Sequence, residues 1–218
     1  MSTALLTPEV AQPQVEAQII APHSSETIEP EGPRKRLISA HDYIKMAELG
    51  LFEGQRVELI GGEIIIMPPI TEPHTRSVAR TATKLTVPLH EEYMIRSQSS
   101  FSAGEHGHPQ PDLALVRLDL LEDPDEIPSQ ATLIVEVSRS TLQYDRTTKL
   151  SLYASLGITD YWIINLIENC VEVHRQPIER EAAQFGWDYA SRTIYQRGQS
   201  VSLLEVPSVS ILVDDVLP

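Results

Sequence analysis

Cysteine is almost missing from this chain of 218 residues. The single Cys170 excludes an intramolecular disulfide and supplies no cysteine-based zinc cluster. Long apolar runs are missing too. Hydrophobic residues make up 41% of the sequence, enough for a substantial core, yet no stretch approaches the length of a membrane-spanning helix. The first residues show no basic segment followed by an apolar one, so no secretory signal is read. A soluble, cytoplasmic protein with no membrane association is the expectation.

Positive charge is the next scarcity. Lys and Arg number 17 against 31 Asp and Glu, a formal charge of −14. That balance counts against a large nucleic-acid footprint, which wants basic patches, and leaves room only for a local basic groove. Residues 1–33 hold five of the acids and no Lys or Arg, so the rest of the chain stands at −9. This segment is rich in Pro, Glu, Gln, Ser and Thr without sustained periodicity. It cannot bury enough surface to offset its ordering entropy, and a disordered acidic tail is expected there. Residues 34–218 are expected to form a single domain.

What is present in that domain alternates between helix and strand. "SAHDYIKMAELG" reads as a helix capped by Ser39 and stopped by Gly50. "RVELIGGEIIIM" reads as a hairpin about Gly61-Gly62, with Val57, Leu59, Ile64 and Ile66 on one face and Glu58, Ile60, Glu63 and Ile65 on the other. A helix is expected over 73–87, ended by Pro88, and then a strand at "YMIRSQSSF". The nearly all-apolar runs "DLALV" and "TLIVEV" suit central strands covered on both faces. A helix over 145–156 precedes a strand pair, "DYWIINL" and "CVEVHR", and short strands follow from about 183. The fold class is α+β or mixed α/β with one sheet.

Two acids and a lysine interrupt this pattern. If the two apolar strands pair antiparallel about "DPD" at 123–125, Asp112 and Glu136 lie opposite each other at one end of the sheet. Adjacent carboxylates repel unless a cation sits between them, and hard oxygen ligands at a wet edge suit Mg²⁺ or Mn²⁺. The plain alternative is that each acid merely ends a strand. Lys149 falls near the centre of the stripe formed by Leu142, Asp145, Leu152, Tyr153 and Leu156 at ~100° per residue, the face that meets the sheet. An exposed pair with Asp145 would explain the spacing but not the face.

In this order, "ELIGGE", "PD", "IVEVSRST" and "D…K…Y…GI…YW" resemble the Uma-type "putative restriction endonuclease" family of the PD-(D/E)XK nuclease superfamily, over about residues 37–215. The resemblance implies a restriction-endonuclease-like αβββαβ core, with one mixed sheet flanked by helices, and Mg²⁺- or Mn²⁺-dependent hydrolysis of DNA phosphodiesters. By position, Asp112 and Glu136 match the family's metal-binding acids, with the Val137 carbonyl completing the set, and Glu58 matches its upstream acid. The superfamily's E-x-K would put a lysine where Ser138 stands; here the lysine would come from the following helix, as Lys149. Superfamily enzymes that cut both strands pair up, so a homodimer is expected, with the "YWIINL" and "CVEVH" strands offering an edge.

The remaining polar residues carry weaker signals. His74, His106 and His108 read as loop or helix-end histidines, Glu63 as structural, and Gln110 as a possible neighbour of Asp112 on its strand. Two rival readings differ in class. One is a nuclease-fold protein that binds nucleic acid or a protein partner without cutting. The other makes Asp112, Glu136 and Lys149 an internal ion network, closed to solvent and with no cleft beside it.

Overall fold

Ser39 caps the first helix, α1 (Ala40–Glu48), by accepting the Asp42 N–H at 3.0 Å, and Gly50 ends it at a φ of 78°. The computed structural model describes residues 1, 33, 35–121 and 123–218; the expected acidic tail, residues 1–33, lies outside the described residues apart from its two end positions. Tyr43 of α1 packs on Val57 and Leu59 of the hairpin β1 (Val57–Ile60) and β2 (Glu63–Ile66). The hairpin has the expected register, with Glu58 opposite Ile65, so Glu58 leaves from the face away from that small core.

The second helix, α2 (Glu72–Leu89), begins with Pro73 in its first turn but does not stop at 87. It runs past Pro88 for one more residue. In the last turn a proline removes a single backbone bond, and Leu89 is buried in the main core, so packing outweighs that loss. Strands β3 (Tyr93–Ser97), β4 (Leu113–Arg117) and β5 (Leu133–Ser138) follow as an antiparallel meander. Leu113 pairs with Val135 and Leu115 with Leu133, the register that sets Asp112 against Glu136 one step beyond.

The next helical segment starts earlier than the expected 145. It comprises α3 (Leu142–Tyr144), a π-helical turn at Asp145–Lys149 and α4 (Leu150–Ser155), and Gly157 ends it at a φ of 74°. This crossover lets β6 (Asp160–Asn165) return parallel to β5. Strands β7 (Cys170–Glu179) and β8 (Trp187–Gln196) extend the sheet antiparallel, giving the order β3-β4-β5-β6-β7-β8. The edges are therefore β3 and β8, not the β6 and β7 pair expected to offer one. At ten residues β8 is also longer than the short strands expected there. Strands β9 (Ser200–Ser202) and β10 (Ser210–Leu212) form a separate ribbon before α5 (Val213–Val216).

From α2 to β6 the order is αβββαβ, and helices cover both faces of a mixed sheet. Alternation along the strands divides the core. Leu113, Leu115, Leu133 and Val135 face Val78 and Leu85 of α2, with Val213 and Val216 of α5 beside them. Ala114, Val116 and Ile134 face Leu142, Tyr153 and Ala154 of the crossover segment. Glu136 follows Ile134 by two residues and so projects toward the crossover helix. Among the described residues no helix is long and apolar enough to cross a membrane.

Candidate active site

Strand β4 begins at Leu113, so Asp112 stands just beyond the sheet with β5 still running alongside. Its main-chain N–H donates to Glu136 Oε2 at 3.2 Å, and its Oδ2 accepts the Val137 N–H at 2.9 Å. Ser138 gives its carbonyl to Leu166 on the β6 side, so strand alternation turns the Val137 backbone groups toward Asp112. The three residues expected to hold a metal thus meet at one strand end.

Residues that the sequence reading passed over hold Asp112 as well. His74 Nε2, on the first turn of α2, lies 3.0 Å from Asp112 Oδ2, and Gln98 Nε2 donates to Oδ1 at 3.2 Å. Gln98 adopts a φ of 46°, rare for a side-chain-bearing residue, and its own N–H also bonds the Asp112 carbonyl. Burial raises the Asp112 pKa, but the bonds from His74, Val137 and Gln98 outweigh it and hold the carboxyl below its usual value. His106 and His108 do sit as ordinary loop histidines: one meets the Ile38 carbonyl, the other bridges to Leu59 and packs on Tyr43.

Lys149 reaches Glu136 from behind. Its Nζ lies 3.1 Å from Glu136 Oε1 and 2.7 Å from Glu58 Oε2, with the Tyr153 hydroxyl at 3.4 Å. Tyr153 donates to the same Glu136 oxygen at 2.7 Å. The Glu58 contact is close but poorly directed: Oε2 takes no well-aligned hydrogen bond, so the attraction there is Coulombic. Desolvation lowers the Lys149 pKa, yet Glu136, Glu58 and Asp145 together raise it above the ordinary value, so the amine stays charged. The π turn that widens the helix ends on Lys149, a departure that recurs at functional sites. Asp145, at the start of that turn, is fixed by Ser138 and Thr141 hydroxyls, each at 2.6 Å from its Oδ2.

Glu136 is the most perturbed acid of the group. Burial pushes its pKa up to about 8 against the pull of Lys149, with Asp112, Asp145 and Glu58 adding like charge. Asp112, Glu136 and Lys149 are 6%, 5% and 1% exposed. That much burial matches an internal ion network, but such a network would have no cleft beside it. Here a cleft of about 420 Å³ opens over Asp112, Glu136, Glu58 and Val137. Its walls are the Met67–Ile70 loop, His74, Gln110 and the turn from Arg139 to Thr141; Lys149 is not part of its lining. Glu63, on the hairpin face of Glu58, is exposed.

A mixed sheet wound αβββαβ, with two carboxylates across adjacent strand ends and a lysine behind them, is the restriction-endonuclease-like fold. The chain belongs to the Uma2 family, described as "Putative restriction endonuclease", whose profile matches residues 40–214. The crystal structure of a "putative nuclease belonging to DUF820" from Anabaena variabilis ATCC 29413 has a similar fold, with a TM-score of 0.62 at 16% identity over 82% of this chain and 97% of that one. No curated protein matches the chain.

Proposed function

We propose that the protein is an endonuclease that hydrolyses DNA phosphodiester bonds with a divalent cation, Mg²⁺ or Mn²⁺. The observation that carries this reading is the meeting of Asp112 and Glu136 at neighbouring strand ends on the floor of an open cleft, with Lys149 bound to Glu136. Asp112, Glu136 and the Val137 carbonyl would hold the ion. The donor set fits: it is all hard oxygen, and the like charges of Asp112, Asp145 and Glu58 around the buried Glu136 are ones a cation would offset. Such an ion offsets charge on the phosphate and lowers the pKa of the attacking water.

The chain's own residues do the positioning. His74, Gln98 and the Val137 N–H fix both oxygens of Asp112. Lys149 and Tyr153 fix Glu136 Oε1, leaving Oε2 toward Asp112. Glu58 holds Lys149 from the hairpin side and lines the cleft with the other two acids. We also propose a homodimer, joined along a sheet edge; light scattering at working concentration would find a monomer if this is wrong.

A second reading draws on one feature, the absence of Lys149 from the cleft wall. An ammonium enclosed by two carboxylates suits a protein that binds nucleic acid or a partner without cutting. Incubation with supercoiled and linear DNA in Mg²⁺ and in Mn²⁺ separates the two. Cleavage that disappears in Asp112→Asn supports the nuclease. Absence of cleavage in both ions, with no cation binding by calorimetry, leaves the non-cutting reading.

A further inference from the structure

The acidic balance of the chain makes its cations informative. Most described arginines are committed to carboxylates: Arg146 and Arg192 to Glu172, Arg175 to Asp160, Arg180 to Asp188 and Arg197 to Asp214. Two that are not committed in this way stand on the cleft over Asp112 and Glu136. Arg139, three residues after Glu136, is exposed and makes no hydrogen bond or ion pair among the described residues. Arg56, two residues before Glu58, gives one N–H to the Pro68 carbonyl at 3.2 Å, which fixes its guanidinium against the Met67–Ile70 loop. It has no acidic partner among the described residues. An arginine left unpaired beside four acids (Glu58, Asp112, Glu136 and Asp145) in a chain of charge −14 is not explained by stability.

The cleft also limits what these arginines hold. Its volume of about 420 Å³ is that of a small-ligand site, enough for a nucleotide segment over the charged floor. Met67, Pro68, Pro69, Ile70 and Ile167 give it an apolar lining to take base or sugar faces beside the charged floor. Two free guanidinium groups at one cleft supply charge for about one phosphate each, a small electrostatic footprint.

We propose that Arg56 and Arg139 clamp the backbone of a single polynucleotide strand, one phosphate on each side of the position over Asp112 and Glu136. The assignment rests on the nuclease reading for what happens at that position, but binding itself does not depend on cutting. Arg139 supplies a free fork for bidentate phosphate contact, and Arg56 is oriented in advance by Pro68. Neither touches the carboxylates, so their contribution is to affinity and register.

Fluorescence anisotropy with a short labelled oligothymidylate, as single strand and annealed to its complement, tests this. Ca²⁺ in place of Mg²⁺ serves as the oxygen-seeking cation. Arg56→Ala and Arg139→Ala should each weaken single-strand binding and lower the slope of log K against log salt by about 0.7. Arg117→Ala, at the far end of β4 and paired with Asp119 at 2.6 Å, should change neither. Where cleavage is observed, the two variants should raise KM and keep kcat, the mark of lost uniform binding. Single-strand binding that both variants retain, or no binding by the wild type, overturns the clamp even if cutting is found. Tighter binding of the duplex overturns the single-strand assignment. Loss of binding in the variants without cleavage by the wild type upholds the clamp and refutes the nuclease reading instead.

Discussion

Lys149 stands 3.1 Å from Oε1 of Glu136, thirteen residues earlier in the chain, and on the side of that carboxylate away from the cleft. The contact follows from two periodicities. Glu136 shares the face of Ile134 in a strand of period two, and Lys149 shares the face of Leu142 and Tyr153 on the helix packed there. A lone carboxylate or a lone ammonium at that interface would cost several kcal/mol, about as much as a poorly formed pair returns. The arrangement holds because Glu58 and Tyr153 supply the remaining partners.

Replacing Lys149 by alanine should therefore abolish cleavage and also destabilise the fold. The helical pattern alone suggests a small change in stability, since a buried charge is removed. With Glu58 and Glu136 both within 3.1 Å of the ammonium, the variant instead leaves the buried Glu58 without its counter-charge, and Glu136 as well once the pH is high enough to ionise it. Breaking one side of such a group costs about 3–5 kcal/mol, readable in urea denaturation. Adding Glu136→Gln should return part of that loss without restoring activity. A Lys149→Ala protein that cuts like wild type would remove the lysine from the mechanism.

The pairing of Asp112 with Glu136 was legible in the sequence because it needs only a register, and two all-apolar runs about an acidic turn supply one. Lys149 was legible for a similar reason, as a charge on an apolar stripe. The π turn that carries it was not, because nothing in "DRTTK" distinguishes that turn from an α-helical one. His74 was missed because its partner is 38 residues away and meets it only after α2 packs across the sheet end. A histidine beside Pro73 reads equally well as a helix start. Gln98 was missed as well: its positive φ depends on the Asp112 carbonyl it bonds, not on its neighbours in sequence.

His74 provides a test of how Asp112 is held. Its Nε2 at 3.0 Å keeps Asp112 ionised and oriented, much as outer partners hold metal-ligating groups. His74→Ala should weaken Mn²⁺ binding by about 10–100-fold, with unchanged far-UV circular dichroism. His74→Gln, which can still donate to Oδ2, should recover much of the affinity. Equal affinity in wild type and His74→Ala, measured by calorimetry, would make the contact structural.

The raised pKa of Glu136 has a definite sign in stability. Between its ordinary 4.5 and about 8, the folded state holds a proton that the unfolded chain releases. Stability from this group is complete below 4.5 and is lost as pH rises through about 8. Asp145, also raised by burial, adds to the same trend. His108, lowered by its burial, opposes it below 6.5, so Glu136→Gln is the needed comparison. In EDTA, wild-type Tm should fall relative to that variant as pH goes from 5 to 8. Saturating Mn²⁺ should remove the difference, because the ion replaces the proton. Parallel Tm profiles in EDTA would contradict the assignment.

Glu172 separates the proposed cation site from the other acidic cluster. Its carboxylate, fully buried, accepts from Arg146 Nε at 3.1 Å, Arg192 at 2.7 Å and Asn165 at 2.8 Å. Burial would raise its pKa, but the hydrogen bonds and the Arg192 charge hold it well below the usual carboxylate range. Glu168, Cys170 and Glu172 bring their ligand atoms within 4.8 Å of one another, spacing that could accommodate a metal. Two guanidinium groups already neutralise Glu172, so a divalent cation there would meet positive charge on two sides. Glu172→Gln should cost about 1–3 kcal/mol of stability, since it removes charge-assisted bonds from Arg146, which keeps Glu168, and from the half-exposed Arg192. The same variant should bind Mn²⁺ with wild-type stoichiometry and retain cleavage, whereas Asp112→Asn should lose both with a smaller loss of stability. If Glu172→Gln abolishes Mn²⁺ binding in a folded protein, the ion belongs at β7 and not at the ends of β4 and β5.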